Sequence, residues 1–161
     1  MQTAPQPTAA SVSTLSAAEP AARPPTLVAV DPARIGDLLA ARPEVAEKLE
    51  RVAERSNGRW MVSGMIDKFA TGQWHLWLVW DGVIRAVVAT ELYTEMTGIK
   101  CLTIRFCTGR QLERWKHLIA VLEDFAVAEG CVFSDMVSRK GYARELPDYK
   151  LTHVLLEKDL R

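Results

Sequence analysis

The residues whose types and spacing most clearly suggest a binding site lie in the stretch FCTGRQLERW, residues 106–115. There an apolar strand pattern ends and a helical pattern begins. The first turn of a helix has unpaired backbone N–H groups and partial positive charge, and a glycine lets an anion approach them. Thr108, Gly109, Arg110 and Gln111 are therefore candidate ligands of a phosphate group. A tight turn without a ligand would produce the same pattern, so both interpretations stay open.

The cysteine and histidine residues show no metal-binding or redox pattern. Cys101, Cys107 and Cys131 are an odd number, lie in apolar strand-like runs and have no C-x-x-C spacing. We expect them to be reduced core residues of an intracellular protein. The three histidines are scattered through the chain without paired-ligand spacing, so no metal site is expected.

The composition indicates one globular domain. The chain has 161 residues, of which 48% are hydrophobic, with 20 basic and 20 acidic side chains. It lacks the basic excess that attracts nucleic acid. No apolar run reaches the roughly 18 residues of a membrane span, and the N-terminus lacks the features of a signal peptide. We therefore expect neither nucleic acid nor a membrane as partner, and a cytoplasmic location.

Residues 1–26 differ from the rest in composition. They are almost wholly Ala, Pro, Ser, Thr and Gln, with no hydrophobic period and little that could be buried. Such a segment is expected to be disordered in isolation. It is either a solvated leader or an arm that becomes ordered against a protein partner. The single folded domain is expected over residues 27–161.

Hydrophobic periodicity predicts the elements of that domain. They are a strand at 27–30, helices over 32–41, 43–56 and 61–70, strands at 74–80, 84–93 and 99–107, a helix over 110–129, a strand at 131–137, a short helix before Pro147 and a strand at 151–157. Short connections predict an antiparallel meander from 74 to 107. The last strand of the meander, the helix over 110–129 and the strand at 131–137 predict a parallel pair with a right-handed crossover. The corner at 108–111 then lies at the carboxyl end of a strand, where ligands bind in open α/β sheets.

This order of elements resembles the GNAT superfamily of acyl-CoA-dependent N-acyltransferases over about residues 27–160. The stretches AERSNGRW, LWLVWDG, GYARELPDYK and THVLLEKDL look like those of GNAT-like proteins encoded by tailed phages and prophages. The resemblance implies an α/β (α+β) fold with a mixed, mostly antiparallel sheet of about six strands and helices on both faces. It also implies acetyl-CoA as cofactor, an amine as acceptor, a pyrophosphate held at residues 108–111 and a pantetheine arm between the two parallel strands.

The corner departs from the superfamily pattern, which is Q/R-x-x-G-x-G/A. Gly109 is the one glycine here, and Leu112 and Glu113 occupy the first helical turn where small residues would be expected. A first-turn glutamate interacts favourably with the helix dipole and competes with an anion for the same positive end. The resemblance therefore implies the position of a phosphate site with a different set of residues in it.

The catalytic candidates also follow from the resemblance. Many superfamily members use a tyrosine near the start of the last short helix to protonate the departing thiolate. Ala143 stands at that place here, and Tyr142 beside it is either the acid or a packing aromatic. A general base would be a carboxylate near the meander with a pKa raised by burial. Glu91 is the first candidate and Asp135 the second, and each is alternatively a solvent-facing strand residue.

Two functions from different classes stay open. The first is an acyl-CoA-dependent N-acyltransferase in which an amine attacks the thioester directly. The second is a non-catalytic GNAT-fold virion structural or accessory protein, with the N-terminal tail binding a virion or host protein. For a phage-encoded protein, the location would be the host cytoplasm or the virion. Fold alone does not choose between them.

Overall fold

The computed structural model of the chain describes residues 23–139 and 141–160. Of residues 1–26, which were expected to be disordered, residues 1–22 lie outside this range. Thr26 belongs to the first strand, which was predicted to begin at residue 27.

One sheet of five strands forms the centre of the described part of the chain. The strands are β1 (Thr26–Ala29), β2 (His75–Trp80), β3 (Ile84–Thr94), β4 (Lys100–Gly109) and β5 (Phe133–Met136). They lie in sequence order; β1 to β4 pair antiparallel and β5 pairs parallel to β4. The predicted meander and the predicted parallel pair are both confirmed.

Helices cover the two faces of this sheet. The α-helices are α1 (Ile35–Ala41), α2 (Pro43–Glu54), α3 (Val62–Ala70), α4 (Leu112–Trp115), α5 (Ile119–Ala128) and α6 (Tyr142–Glu145), with 3-10 turns at Pro32–Arg34 and Lys116–Leu118. The first 3-10 turn is capped by Asp31, whose carboxylate accepts the Ala33 N–H at 2.9 Å, and Pro32 follows it at the first helical position.

Each face of the sheet has its own hydrophobic core. On one face, Leu102 and Ile104 pack with Leu122 of α5. On the other, Val87 packs with Leu49 of α2 and Phe69 of α3. Burying each of these side chains contributes roughly 1.5–3 kcal/mol. The sheet is therefore held on both faces, and its position relative to α2 and α5 is fixed.

The tryptophans at and just before β2 divide between these two cores. Trp77 belongs to the α5 face, whereas Trp74 and Trp80 pack on the α2 and α3 face. The indole N–H of Trp77 donates to Thr90 Oγ1 at 2.9 Å, so these two buried polar groups are hydrogen-bonded to each other.

The prediction of one helix over residues 110–129 is wrong. α4 has a single turn, the 3-10 turn follows, and only α5 is a regular helix of ten residues. Trp115 has φ −132° and its indole N–H donates back to the Arg110 carbonyl oxygen at 3.1 Å. The period of the apolar residues identified the buried face, but it did not reveal this local break.

The predicted corner at Thr108-Gly109 is also wrong by two residues. β4 continues through Gly109, which pairs with Ala86 of β3. A Cβ at position 109 would lie 2.5 Å from Ala86 Cβ and 2.8 Å from the Arg85 carbonyl oxygen. The close approach of β3 therefore explains the glycine without a ligand.

The predicted last strand at 151–157 does not form, so the sheet has five strands where about six were expected. Residues 151–160 are exposed and belong to no regular element. Their short apolar run indicated a strand, but such a run does not specify which strand edge it would pair with.

No helix in the described ranges is both long and apolar enough to cross a membrane. Among the same residues, no group of three or more His, Cys, Asp or Glu side chains could hold a metal ion.

Candidate functional site

A cleft opens where the parallel strands β4 and β5 separate. Their pairing ends at Ile104 and Met136. Directly after this point β4 contains a bulge, because Ile104 and Phe106 pair with consecutive residues of β3 and Arg105 is the extra residue. A bulge bends a strand and increases its twist. We attribute the separation of the strands to this bulge, beyond which the β4 edge has no partner in β5.

The cleft has a volume of about 680 Å³. One wall is β4 over residues 103–109, and the opposite wall is the chain that follows β5 over residues 136–139. The end of α2 and the loop after it, from Val52 to Trp60, close a third side. Tyr142 of α6 and Leu155 of the C-terminal segment complete the lining. This size is in the range of small-molecule and cofactor sites.

Positive charge dominates the lining of the cleft. Four arginines contribute to it, Arg55, Arg59, Arg105 and Arg139, and no Asp or Glu does among the described residues. Arg55 and Arg139 form no ion pair within the described chain. A concave site lined by one sign of charge focuses its field, so this cleft favours an anionic ligand.

An aromatic cluster supports the α2 side of the cleft. The Trp60 ring lies 5.7 Å from Trp74 and 6.0 Å from Phe106, measured between centroids. Phe69 lies behind them, 6.0 Å from Trp74 and 6.5 Å from Phe106. The Arg105 guanidinium stands 5.6 Å from the Trp74 ring centroid. Its cation–π contact and the packed rings hold this wall in place.

The four residues predicted to bind a phosphate lie in two different places. Thr108 and Gly109 line the cleft, whereas Arg110 and Gln111 line a small separate depression beside Asp81 and Arg85. Gln111 has a left-handed backbone with φ 56° and precedes the single turn of α4. One helical turn has only a small dipole, so the backbone here offers less to an anion than a long helix would.

Of the three predicted catalytic residues, Tyr142 alone lines the cleft. Burial raises the pKa of its phenol, so the side chain is protonated at neutral pH. Burial likewise raises the pKa of the Cys107 thiol, and a protonated thiol is a poor nucleophile. The arrangement therefore offers a proton donor in the cleft and an inert cysteine.

Glu91 and Asp135 lie on the sheet face opposite α5, outside the cleft lining. Glu91 accepts a hydrogen bond from Arg105 Nε at 2.6 Å, so its nearest connection to the cleft is that arginine. Asp135 accepts a hydrogen bond from Tyr93 Oη at 2.6 Å. This bond, with a smaller effect of burial, raises the pKa of the Tyr93 phenol. Both carboxylates are thus engaged with neighbouring side chains.

Replacing Tyr93 with phenylalanine is expected to lower the free energy of unfolding by about 1 kcal/mol at pH 7, the usual net value of one hydrogen bond. The folded-state pKa of Tyr93 is raised, so its contribution is complete below the unfolded pKa of about 10 and is lost as the pH rises further. Urea unfolding of both proteins at pH 7, 9 and 11 measures the difference. The control repeats the pair in an Asp135→Asn background, where the pH dependence should shrink. A difference that stays constant to pH 11 contradicts the prediction.

Sequence reasoning missed the arginines of the cleft. Arg105 carried a usable signal, because it is the only charged residue in the apolar run CLTIRFC. Such an out-of-pattern charge in a strand often marks a bulge. Arg55 and Arg59 flank the Asn57-Gly58 turn, but basic residues at helix ends are so common that their positions carried no signal.

No protein-family model matches the sequence, and no curated protein is significantly similar to it. Solved structures do share its architecture. An aminoglycoside acetyltransferase from an uncultured soil metagenomic sample, in complex with trehalose, superposes with a TM-score of 0.63 at 11% identity, covering 86% of this chain and 97% of that one. Glucosamine-6-phosphate N-acetyltransferase from Arabidopsis thaliana gives 0.60 at 13% identity, covering 85% and 99%.

A third similar structure is the ribosomal-protein-alanine N-acetyltransferase of Brucella melitensis biovar Abortus 2308. Its TM-score is 0.56 at 14% identity, with 85% of this chain and 98% of that chain covered. All three are acetyltransferases and are covered almost completely by one domain. At these identities the likeness concerns the fold. The chain therefore has the fold of the GNAT acetyltransferases.

Proposed function

We propose that this protein is an acyl-CoA-dependent N-acyltransferase that binds its donor in the cleft between β4 and β5. The observation that carries the proposal is the separation of these strands at the Arg105 bulge, which leaves a free strand edge beside a basic cleft. The acetyltransferases with the same fold support the reaction class.

The residues of the cleft fit the parts of an acyl-CoA. Its pantetheine arm carries amides, which can pair with the free backbone groups of β4 after Ile104. Its phosphates are anionic and suit Arg55 and Arg139, which form no ion pair with another described residue. Arg110 and Gln111, outside the cleft, stay candidates for further phosphate contacts. When bound, acyl-CoA would supply an acyl group activated as a thioester.

The proton transfers are assigned to this chain's own side chains. Tyr142 is protonated at neutral pH and would give its Oη proton to the departing sulfur. Glu91 is the first candidate to accept the proton of the acceptor amine, since Arg105 connects it to the cleft. Asp135 is the second candidate, although Tyr93 occupies its Oδ2. The acceptor class proposed is an amine.

The second candidate function is a non-catalytic GNAT-fold component or accessory protein of a phage particle, and two observations favour the loss of catalysis that it implies. The glycine that would admit a pyrophosphate packs against Ala86, and α4 is only one turn long. A chain that had lost cofactor binding would tolerate both features. In that case the N-terminal tail would bind a virion or host protein.

Acetyl-CoA is expected to bind the wild-type chain and to lose its affinity for a Val137→Trp variant. Val137 lines the cleft and is 78% exposed, so an indole there can fill the opening without disturbing a core. Calorimetry measures the binding. Thermal unfolding gives a second readout, because ligand at about 100 times its Kd adds about 2.7 kcal/mol of stability.

The matched control is Val127→Trp, at an exposed valine of α5 outside the cleft, which should bind as the wild type does. Tyr142→Phe should keep the affinity and slow acetyl transfer to amines by roughly 10²–10⁴-fold. Absence of binding at millimolar acetyl-CoA would reject the enzyme and leave the second function. Equal affinity in Val137→Trp would reject the placement of the site.

A further inference from the structure

The C-terminal segment, residues 151–160, has an unusual surface for a chain end. It carries large apolar side chains that are 65% exposed or more, at Leu151, Val154, Leu155, Leu156 and Leu160. It forms no helix or strand. Soluble proteins seldom expose so many apolar side chains together unless they meet a binding surface.

This segment meets the cleft through two side chains. Leu155 contributes to the lining of the cleft. The Glu157 carboxylate forms an ion pair with Arg59, which lies 98 positions earlier in the chain, and accepts a hydrogen bond from it. Leu155 and Glu157 therefore both lie at this side of the cleft.

We propose that the α2 rim of the cleft, formed by Arg59 with Arg55 beside it, is a binding site for an extended acidic peptide. The ligand has an apolar side chain that enters the cleft and a carboxylate two residues later that pairs with Arg59. The chain's own Leu155 and Glu157 occupy the site in cis. This proposal goes beyond acyl transfer and does not depend on it.

The contact between Arg59 and the C-terminal segment is weak enough for another peptide to replace the segment. The side chains of Arg59 and Glu157 are 52% and 44% exposed, and ion pairs of this exposure are weak. The tether nevertheless gives the segment an effective concentration on the order of millimolar. A peptide in solution therefore competes poorly against the wild-type chain and well against a chain whose own segment is disabled.

The test uses a fluorescein-labelled peptide of sequence LTHVLLEKDL and the full chain, followed by fluorescence anisotropy. The variant Leu155→Ser/Glu157→Ser disables the cis contact. We expect this variant to bind the peptide at least tenfold more tightly than the wild type does. Adding Arg59→Glu should abolish the binding, and a peptide with lysine in place of the glutamate should restore it. Adding Arg34→Glu, a distant exposed arginine, should have no effect.

Several outcomes would overturn the proposal. They are equal affinity of the wild type and the disabled variant, binding that survives Arg59→Glu, and equal binding of a peptide with serine in place of the fifth-position leucine of LTHVLLEKDL. Submillimolar inorganic pyrophosphate that displaces the peptide through Arg59 would assign this arginine to phosphate instead. Acetyl-CoA calorimetry on the same variants tests the enzyme separately, so either proposal can fail alone.

Discussion

Gly109→Ala is expected to lower the free energy of unfolding by about 3 kcal/mol, although it adds only one methyl group. The new Cβ would lie 2.5 Å from Ala86 Cβ, 2.8 Å from the Arg85 carbonyl oxygen and 2.9 Å from Ala86 Cα. None of these atoms is at the end of a flexible side chain, so β3 and β4 must move apart. Urea unfolding measures the loss, and the melting temperature should fall by roughly 6–12 °C.

Two further variants isolate the cause. Gly36→Ala adds a methyl group in α1 where nothing lies within 4 Å, and it should stabilise the protein by about 0.5–1 kcal/mol because alanine is the better helix former. In an Ala86→Gly background, Gly109→Ala should cost about 1 kcal/mol less, since one of the three contacts is gone. If Gly109→Ala is as harmless as Gly36→Ala, the packing explanation is wrong.

Gly109 is a poor position for testing ligand binding in the cleft, because it packs directly against β3. A Gly109 variant that fails to bind acetyl-CoA could fail because its sheet is distorted at the pair with Ala86. The exposed Val137 avoids this ambiguity, because no core depends on its side chain. A substitution at position 109 therefore tests the packing of the sheet, and a substitution at position 137 tests ligand binding.

Much of the fold could be predicted because it depends on local patterns. The strand period and the short turns of residues 74–107 gave the meander, and the glycine that follows α5 gave the end of that helix. The parallel pair followed from the strand, helix and strand order. Each of these depends on side chains that are close in sequence.

The cleft could not be predicted because it depends on contacts between distant residues. The bulge exists only in the register of Ile104 and Phe106 against β3. The C-terminal segment was predicted to form a strand at 151–157, yet it forms none, and its Glu157 pairs with Arg59. Pattern reasoning identified Tyr142 as a candidate, but only the fold shows that it lies in the cleft while Glu91 and Asp135 do not.

Phe69→Ala is expected to have the largest effect on stability, a loss of about 3–5 kcal/mol. Phe69 is 1% exposed, and its ring packs edge to face against Trp74 and Phe106. Its removal leaves a cavity behind the wall that carries Arg105, because the Arg105 guanidinium rests on Trp74. Thermal unfolding should show a melting temperature lower by roughly 6–20 °C.

The volume of the ring, and not its aromatic character alone, should account for this loss. Phe69→Leu keeps most of the volume and should cost less than about 1.5 kcal/mol. Benzene should raise the melting temperature of Phe69→Ala and leave the wild type unchanged, because an apolar cavity of this kind binds small aromatic molecules. Val121→Ala, at an exposed valine of α5, is the surface control and should change stability by less than about 0.5 kcal/mol. If Phe69→Ala costs no more than that control, the Phe69 ring does not support the cleft wall.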